Sequence, residues 1–260
     1  MLKDLSRIYE YREMVKNSVR KELRARYKGS VLGFFWTFLN PLLTLVVYTV
    51  IFATIMKVNV PDHSYAIFLF VGLIPWTYFA ATVQQSTSII ISNSNLIKKI
   101  YFPRIILPIS VTATNLVNML FTFIIVFGAV WIFDSKINLL YLYLPIIILI
   151  ETILALGFSA ILSSVTVYFR DLEHIFSIIM MAWFYFTPII YPNEYIPSSL
   201  LLLFRVNPMM PLIEAYRDVL MFNKVPDTMG LLYVLLFSIG LLVLGYCIFN
   251  SLQRRFAEEI

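Results

Sequence analysis

Apolar residues in this chain fall into runs too long for a strand and too uninterrupted for a half-buried helix. Six stand out: Val31–Met56, Tyr65–Ile91, Ile105–Phe133, Leu142–Val167, Ile175–Tyr191 and Met229–Asn250. About 20 apolar helical residues cross the hydrocarbon core of a bilayer, so the pattern predicts six membrane-spanning helices. Pro41, Pro75 and Pro188 lie inside these runs. Spanning helices tolerate proline where neighbours or water take up the freed carbonyls. The fifth run has 17 residues, only ~25 Å at ~1.5 Å per residue.

The segments between and before the runs carry patterns of their own. Near the N-terminus Tyr11, Val15, Val19, Leu23 and Tyr27 recur every fourth residue with basic residues beside them. That stripe predicts an amphipathic helix lying on anionic lipid. The same helix would also make a shelf for a cytoplasmic partner, and the two readings are compatible. The segment 192–228 is long, 37 residues, yet it is not polar. Leu212, Ile213, Tyr216, Val219 and Leu220 share one helical arc, with Glu214, Arg217 and Asp218 opposite. Leu200–Phe204 is a short apolar segment closed by Asn207-Pro208. Two short helices dipping into the outer leaflet are expected here, since backbone at that depth must be helical or covered by protein.

Composition agrees. Apolar residues make up 60% of the 260, mean hydropathy is +0.83, and 13% are charged, against about 25% in soluble domains. The expected fold is an all-α polytopic membrane protein with six transmembrane helices and a single transmembrane domain over 1–260. It divides into a cytoplasmic amphipathic segment (1–30), helices 1–5 (31–191), an outer gate segment (192–228), and helix 6 with a cytoplasmic tail (229–260). Fifteen of the twenty Lys and Arg fall in 1–30, 92–104, 168–174 and 251–260, and five in the other connections. Lys and Arg are retained in the cytoplasm, which places both termini there. The first 30 residues carry the chain's whole net charge of +5 and do not read as a cleaved signal peptide.

Little catalytic chemistry is present. Cys247 is the single cysteine, and His63 and His174 stand apart, so neither a disulfide framework nor a metal cluster is expected. No G-x-x-x-x-G-K-[ST], G-x-S-x-G or H-E-x-x-H occurs. The chain is not expected to be an enzyme or to bind ATP by that route. Glu151 is the one carboxylate deep in a predicted span, and an intramembrane ionisable residue is a functional candidate. It would serve proton coupling or hydrogen bonding in a polar lumen. Gln84 and Gln85 sit in a polar stretch of the second span, and Thr114, Asn115, Asn118 and Thr122 form a stripe along the third. These residues would make interhelical hydrogen bonds or line a wet passage near the cytoplasm. In "WFYFTPIIYP", Trp183–Phe186 cannot all face one way on a helix. Trp183 and Tyr185 lie too deep for an interfacial belt at Tyr191 and Tyr195. With an apolar face and a polar tip each, they suit the ring of a sugar; Phe184 and Phe186 suit helix packing.

The ordered stretches "RKELRARYKGSVLGFFWTFLNPLL", "LIPWTYFAATV", "LIKKIYFPRIILP", "VYFRDLEHIF", "WFYFTPIIYP" and "NPMMPLIEAYRDVL" resemble the permease subunits of type-2 ABC exporters for cell-surface polysaccharides. That group comprises O-antigen, capsule and wall teichoic acid exporters, and the resemblance runs from about Val19 to Gln253. It implies a homodimer in the bacterial cytoplasmic membrane, docked on two cytoplasmic ATP-binding subunits that hold ATP and Mg. The chain itself would bind no cofactor. Its other partners would be a lipid-linked glycan and membrane lipids, with no nucleic acid. Contact with the ATPase would fall to residues about 6–28, to Asn95, Lys98, Lys99, Tyr101 and Arg104, and to Arg170 and Asp171 of an "FRD" turn. The glycan channel would be lined by Phe35, Trp36, Trp76, Gln84, Gln85, Trp183 and Tyr185. An outer gate of two short helices, Ser198–Arg205 and Pro208–Met221, would include Pro208, Leu212, Tyr216 and Arg217. Rival readings are a secondary carrier or channel working through Glu151, a membrane-embedded glycan-processing enzyme, and a type-2 exporter of a drug or small lipid.

Overall fold

A computed structural model describes residues 9–27, 32–58, 60, 64–134 and 139–259. The expectations for residues 6–8 and 28–31 and for His63 lie outside the described residues. All regular structure described is helical. An N-terminal helix α1 (Arg12–Tyr27) is followed by α2 (Trp36–Tyr48), which continues as a wider π-helical coil through Thr49–Ile55. Then come α3 (Tyr65–Ser92), the short α4 (Ser94–Lys99), α5 (Ile106–Asp134), α6 (Leu144–Val165) and α7 (Leu172–Tyr185). Two short helices, α8 (Leu201–Val206) and α9 (Met209–Leu220), precede α10 (Thr228–Leu252).

Five of these stretches are long and apolar enough to cross a membrane: Trp36–Ile55, Tyr65–Ser92, Ile106–Gly128, Leu139–Val165 and Thr228–Arg255. The protein is a multi-pass, all-α membrane protein. The expected fifth span is α7, and it differs from the sequence reading. It has 14 residues, ~21 Å at ~1.5 Å per residue, and stops at Tyr185 rather than Tyr191. Pro188 therefore lies beyond the helix, not within it. The apolar run continues to Tyr191, but Pro188 has no N–H to give and disfavours helical backbone at Thr187.

α3 is the central element, packed by α2, α5, α6, α7 and α9. Leu69, Phe79, Ile147, Leu154, Met209 and Leu212 are wholly buried around it. α6 and α10 pack tightly along their length, and glycine permits their closest approach. A Cβ on Gly245 would lie 2.8 Å from the Gly157 carbonyl oxygen, and one on Gly157 would lie 3.0 Å from the Leu242 nitrogen. Small residues at such crossings let backbones pack closely where no hydrophobic effect draws helices together. α2 is the loosest span: Thr37 is its one buried residue among those described.

A second apolar core occupies the end of the bundle that carries most of the basic residues, here called the basic end. Ile97 of α4, Phe102, Ile106 and Leu107 at the start of α5, Val167, and Phe249 and Phe256 meet there. Tyr11, Met14 and Val15 pack against this core, so part of the predicted N-terminal stripe faces it.

Replacing Gly245 with Val should force α6 and α10 apart, with a loss of about 1–3 kcal/mol from overpacking. Gly240→Ala, at a site with nothing within 4 Å of the added carbon, should leave the melting temperature unchanged. Thermal unfolding of the two detergent-purified variants checks this; equal melting temperatures would count against the tight crossing.

Candidate functional site

At the end of the bundle away from the basic end, the backbone after α7 is irregular, and every carbonyl from Tyr185 to Ile190 finds a donor. The Tyr191 hydroxyl donates to the Tyr185 carbonyl (2.5 Å) and Asn207 Nδ2 to that of Phe186 (2.9 Å). The Ile189 amide donates to Thr187 (2.7 Å). Arg217 donates from Nη1 to Pro188 (2.7 Å) and from Nη2 to Ile189 (2.7 Å), and the Tyr65 hydroxyl closes on Ile190 (2.7 Å). No bulk water serves such carbonyls inside a bilayer, so side chains must.

Two residues organise this cluster. Asn207 uses its whole carboxamide. Its Oδ1 accepts from Trp183 Nε1 (2.8 Å) and from the Met209 amide (3.0 Å), capping the start of α9. Its Nδ2 donates to Phe186 O and to Thr187 Oγ1 (2.9 Å). Arg217 is only 3% exposed, which corrects the expectation that it lies on a polar face with Glu214 and Asp218. Its guanidinium turns inward to the broken end of α7 and lies 3.5 Å from the centroid of the Phe68 ring. Gly72 makes room for it: a Cβ there would sit 2.8 Å from Arg217 Nη2. Glu214 and Asp218 are half-buried beside a cavity of about 430 Å³. Burial raises both carboxyls above their ordinary range, against an opposing hydrogen bond from Asn193 to Glu214 and the opposing charge of Lys224 near Asp218.

Tyr216 ties α9 to α6, donating its hydroxyl to Glu151 Oε2 at 2.7 Å. Both residues are wholly buried. Glu151 therefore faces packed protein here and not a polar lumen. Leu212 and, at the start of α9, Pro208 are buried as well. The expected gate residues Pro208, Leu212, Tyr216 and Arg217 thus all lie buried on α9 and its cap.

The expected channel residues do not form one wall within a single chain. Phe35, Trp36 and Tyr185 are exposed. Trp76 is buried and Trp183 half-buried, with the Trp183 ring 5.3 Å from Phe79, 5.6 Å from Phe158 and 6.4 Å from Trp76. Gln84 Nε2 lies 3.4 Å from the Glu173 carbonyl, and Gln85 accepts from Asn115 at 3.1 Å. Interhelical hydrogen bonding, one of the two readings of the paired glutamines, describes both.

At the basic end, Asn95, Lys98, Lys99, Tyr101, Arg170 and Asp171 are exposed. Arg104 instead turns back, donating to the Gln253 carbonyl and lying 5.8 Å from the Phe256 ring. The Tyr168 hydroxyl donates to Leu252 (2.9 Å), so the "FRD" turn and the end of α10 are tied as well. A cleft of about 820 Å³ opens between the residues just before α1, α4 and the segment after it, and α10, with Tyr11, Lys98, Lys99, Tyr101 and Arg254 on its walls. Among the described residues no group of His, Cys, Asp and Glu is placed to hold a metal ion.

Sequence reasoning missed Asn207 and Tyr65. The Asn-Pro pair was legible as a stop before α9, and such a residue is also a cap; nothing local announces Tyr65.

Comparison with known proteins places these features. The profile of a family described as "ABC-2 type transporter" matches residues 14–221. The chain is 35% identical over 262 residues to the O-antigen export system permease protein RfbA of Myxococcus xanthus, covering 100% of both chains. It is 35% identical over 240 residues to a protein of that name from Klebsiella pneumoniae, covering 92% of this chain and 91% of the other. The Polysialic acid transport protein KpsM of Escherichia coli is 27% identical over 241 residues, covering 90% and 91%.

Removing the Arg217 fork should strand buried carbonyls at the end of α7. Arg217→Ala is expected to lower stability by about 3 kcal/mol or more, given the usual worth of charged hydrogen bonds. Arg217→Lys should recover little, because an ammonium lacks the planar fork. Gly72→Val, crowding the same guanidinium, should act in the same direction. Thermal unfolding in lipid nanodiscs reads all three, and wild-type stability in Arg217→Ala would contradict the capping role.

Proposed function

Because the chain belongs to the ABC-2 type transporter family, we propose that it is the permease subunit of an exporter for a lipid-linked polysaccharide of O-antigen or teichoic-acid type. Its end-to-end similarity to a protein named as an O-antigen export permease carries this reading. In it, two copies pair in the bacterial cytoplasmic membrane with both termini in the cytoplasm. Two separate ATP-binding subunits dock beneath and hold ATP and Mg. The basic end is then the cytoplasmic end, as the distribution of Lys and Arg requires.

Asn95, Lys98, Lys99, Tyr101, Arg170 and Asp171 offer exposed polar and aromatic groups to the ATPase. Arg104 acts behind them, fixing the start of α5 to the end of α10 through Gln253. The second apolar core ties α1, α4 and α5 to the chain's end, so a push on one of them is delivered to several helices together. Movement of the Arg170–Asp171 turn passes along α7 to its broken end, where Arg217 and Asn207 hold α9. Pro208, Leu212, Tyr216 and Arg217 seat the outer gate, and the Arg217 and Asn207 bonds carry it along with the end of α7. Phe35, Trp36 and Tyr185 present rings to the passing glycan. Trp76 and Trp183 back that surface, and Gln84 and Gln85 hold neighbouring helices in register. A carrier working through Glu151 needs that carboxylate to meet a pathway; its burial against Tyr216 argues for an anchoring role instead.

Gentle extraction from the native membrane should co-purify an ATPase with a phosphate-binding loop at one copy per permease. The double variant Lys98→Glu/Lys99→Glu should weaken that association by about tenfold, about 1.4 kcal/mol, without altering the permease's own melting temperature. Depletion of the chain should remove a surface polysaccharide. A lone chain that transports without any ATPase would overturn the proposal.

A further inference from the structure

Beyond Leu252, α10 tightens into a 3-10 turn, Gln253–Arg255, and runs on for one more helical turn, Phe256–Glu259. That last turn lies against α4. Phe256 is wholly buried in the small apolar core of the basic end, together with Ile97 of α4. Its ring meets Phe249 edge-on at 5.6 Å and lies 6.4 Å from the Tyr168 ring, with the Arg104 guanidinium 5.8 Å from its centroid.

Two hydrogen bonds reach the same place. Arg104, between α4 and α5, donates to the Gln253 carbonyl, and the Tyr168 hydroxyl, between α6 and α7, donates to the Leu252 carbonyl at 2.9 Å. The last carbonyls of a helix lack intrahelical donors, but water can serve them. Lys98, Arg170, Asp171 and Arg254 are exposed at this end of the bundle, so water is at hand and the backbone does not require either side chain. What the contacts fix is position. Phe256 touches one residue from each of two connections: Arg104 from the one that carries Lys98 and Lys99, and Tyr168 from the one that carries Arg170 and Asp171. α4 leaves α3 at Asn93, whose backbone is not helical, so packing alone sets its angle.

We propose that residues 253–259 form a clasp that holds these two connections at a fixed spacing, with Phe256 as the positioning residue that couples ATP hydrolysis to export; the assignment rests on the polysaccharide-export reading. Phe256 touches neither the ATPase nor the glycan, and acts through Arg104, Tyr168 and α4. With the clasp closed, α4 cannot give way under the ATPase, and the stroke passes to the spans. With the ring cut back, α4 yields by swivelling at Asn93, and ATP is hydrolysed without export.

The test uses the complex of permease and ATPase, in lipid nanodiscs for hydrolysis and in polymer-making cells for export. Phe256→Ala, which leaves a cavity under α4, should keep the ATPase at wild-type stoichiometry and hydrolysis within about twofold, while surface polymer falls about tenfold. Phe256→Leu, which refills most of that space, should restore export to within about twofold of wild type. Glu258→Ala, on the exposed side of the same turn, should change neither. Wild-type export in Phe256→Ala, or hydrolysis and export falling in equal proportion, would overturn the clasp. Where Phe256→Ala fails to assemble, Tyr168→Phe takes its place, since it keeps the ring and removes only the tie to Leu252. It should lower export relative to hydrolysis by about threefold, the scale of one hydrogen bond; wild-type coupling there would overturn the clasp. If the wild-type chain binds no ATPase, the export reading itself fails, an outcome distinct from a working exporter that couples without Phe256.

Discussion

Everything at the far end of this molecule depends on how the chain leaves α7. A helix that stops inside a bilayer exposes carbonyls that no water will serve, and each must be met by the protein. Here the side-chain donors come from four separate places: Tyr65 at the head of α3, Tyr191 just downstream, Asn207 before α9, and Arg217 within it. Because these donors belong to different elements, satisfying the backbone also fastens the elements together. α9 cannot lift from the end of α7 without uncovering Pro188 and Ile189, whereas a single Tyr216–Glu151 bond reaches from it to α6.

The rest of the bundle divides by how firmly it is held. α3, α5, α6 and α10 form a close-packed body, with Gly157 and Gly245 at its tightest crossing. α2 and α7 lie against α3 with much of their surface uncovered. α7 also runs between the two ends of the molecule, from the exposed Arg170–Asp171 turn to the capped break. In the proposed exporter, the two loosely held helices are those free to shift while the body stays intact. The small apolar core at the basic end, joined by α1, α4 and the start of α5, would give the proposed ATPase partner a stiff surface to push on.

Most of the architecture was legible in the sequence because its signal is one-dimensional. Apolar runs of spanning length gave the long helices, and the arc Leu212, Ile213, Tyr216, Val219 and Leu220 gave α9 and its buried face. Arg217 was misplaced because a helical pattern assigns charge to the solvated side. Only the three-dimensional presence of orphan carbonyls makes an inward guanidinium favourable. The end of α7 was set too late for a related reason: Thr187–Tyr191 stays apolar, so hydropathy cannot register that the backbone has stopped being helical. Pro188 was the available sign, and its usual tolerance in spanning helices hid it. Partner identity is non-local throughout. Glu151 was visible as an oddity, but its bond to Tyr216 spans 65 residues, and no spacing rule reaches that far.

The central claim is that the capped end of α7 and the helices α8 and α9 move as one unit. Spin labels at Ile178 on α7 and Leu202 on α8, both exposed, test it by double electron–electron resonance. The complex purified from membranes, with one labelled chain per assembly, would be measured at rest and during ATP hydrolysis. The account predicts a single distance that is the same in both states. Two distances during turnover, with Arg217 intact, would show that α8 and α9 separate from α7 and would contradict it.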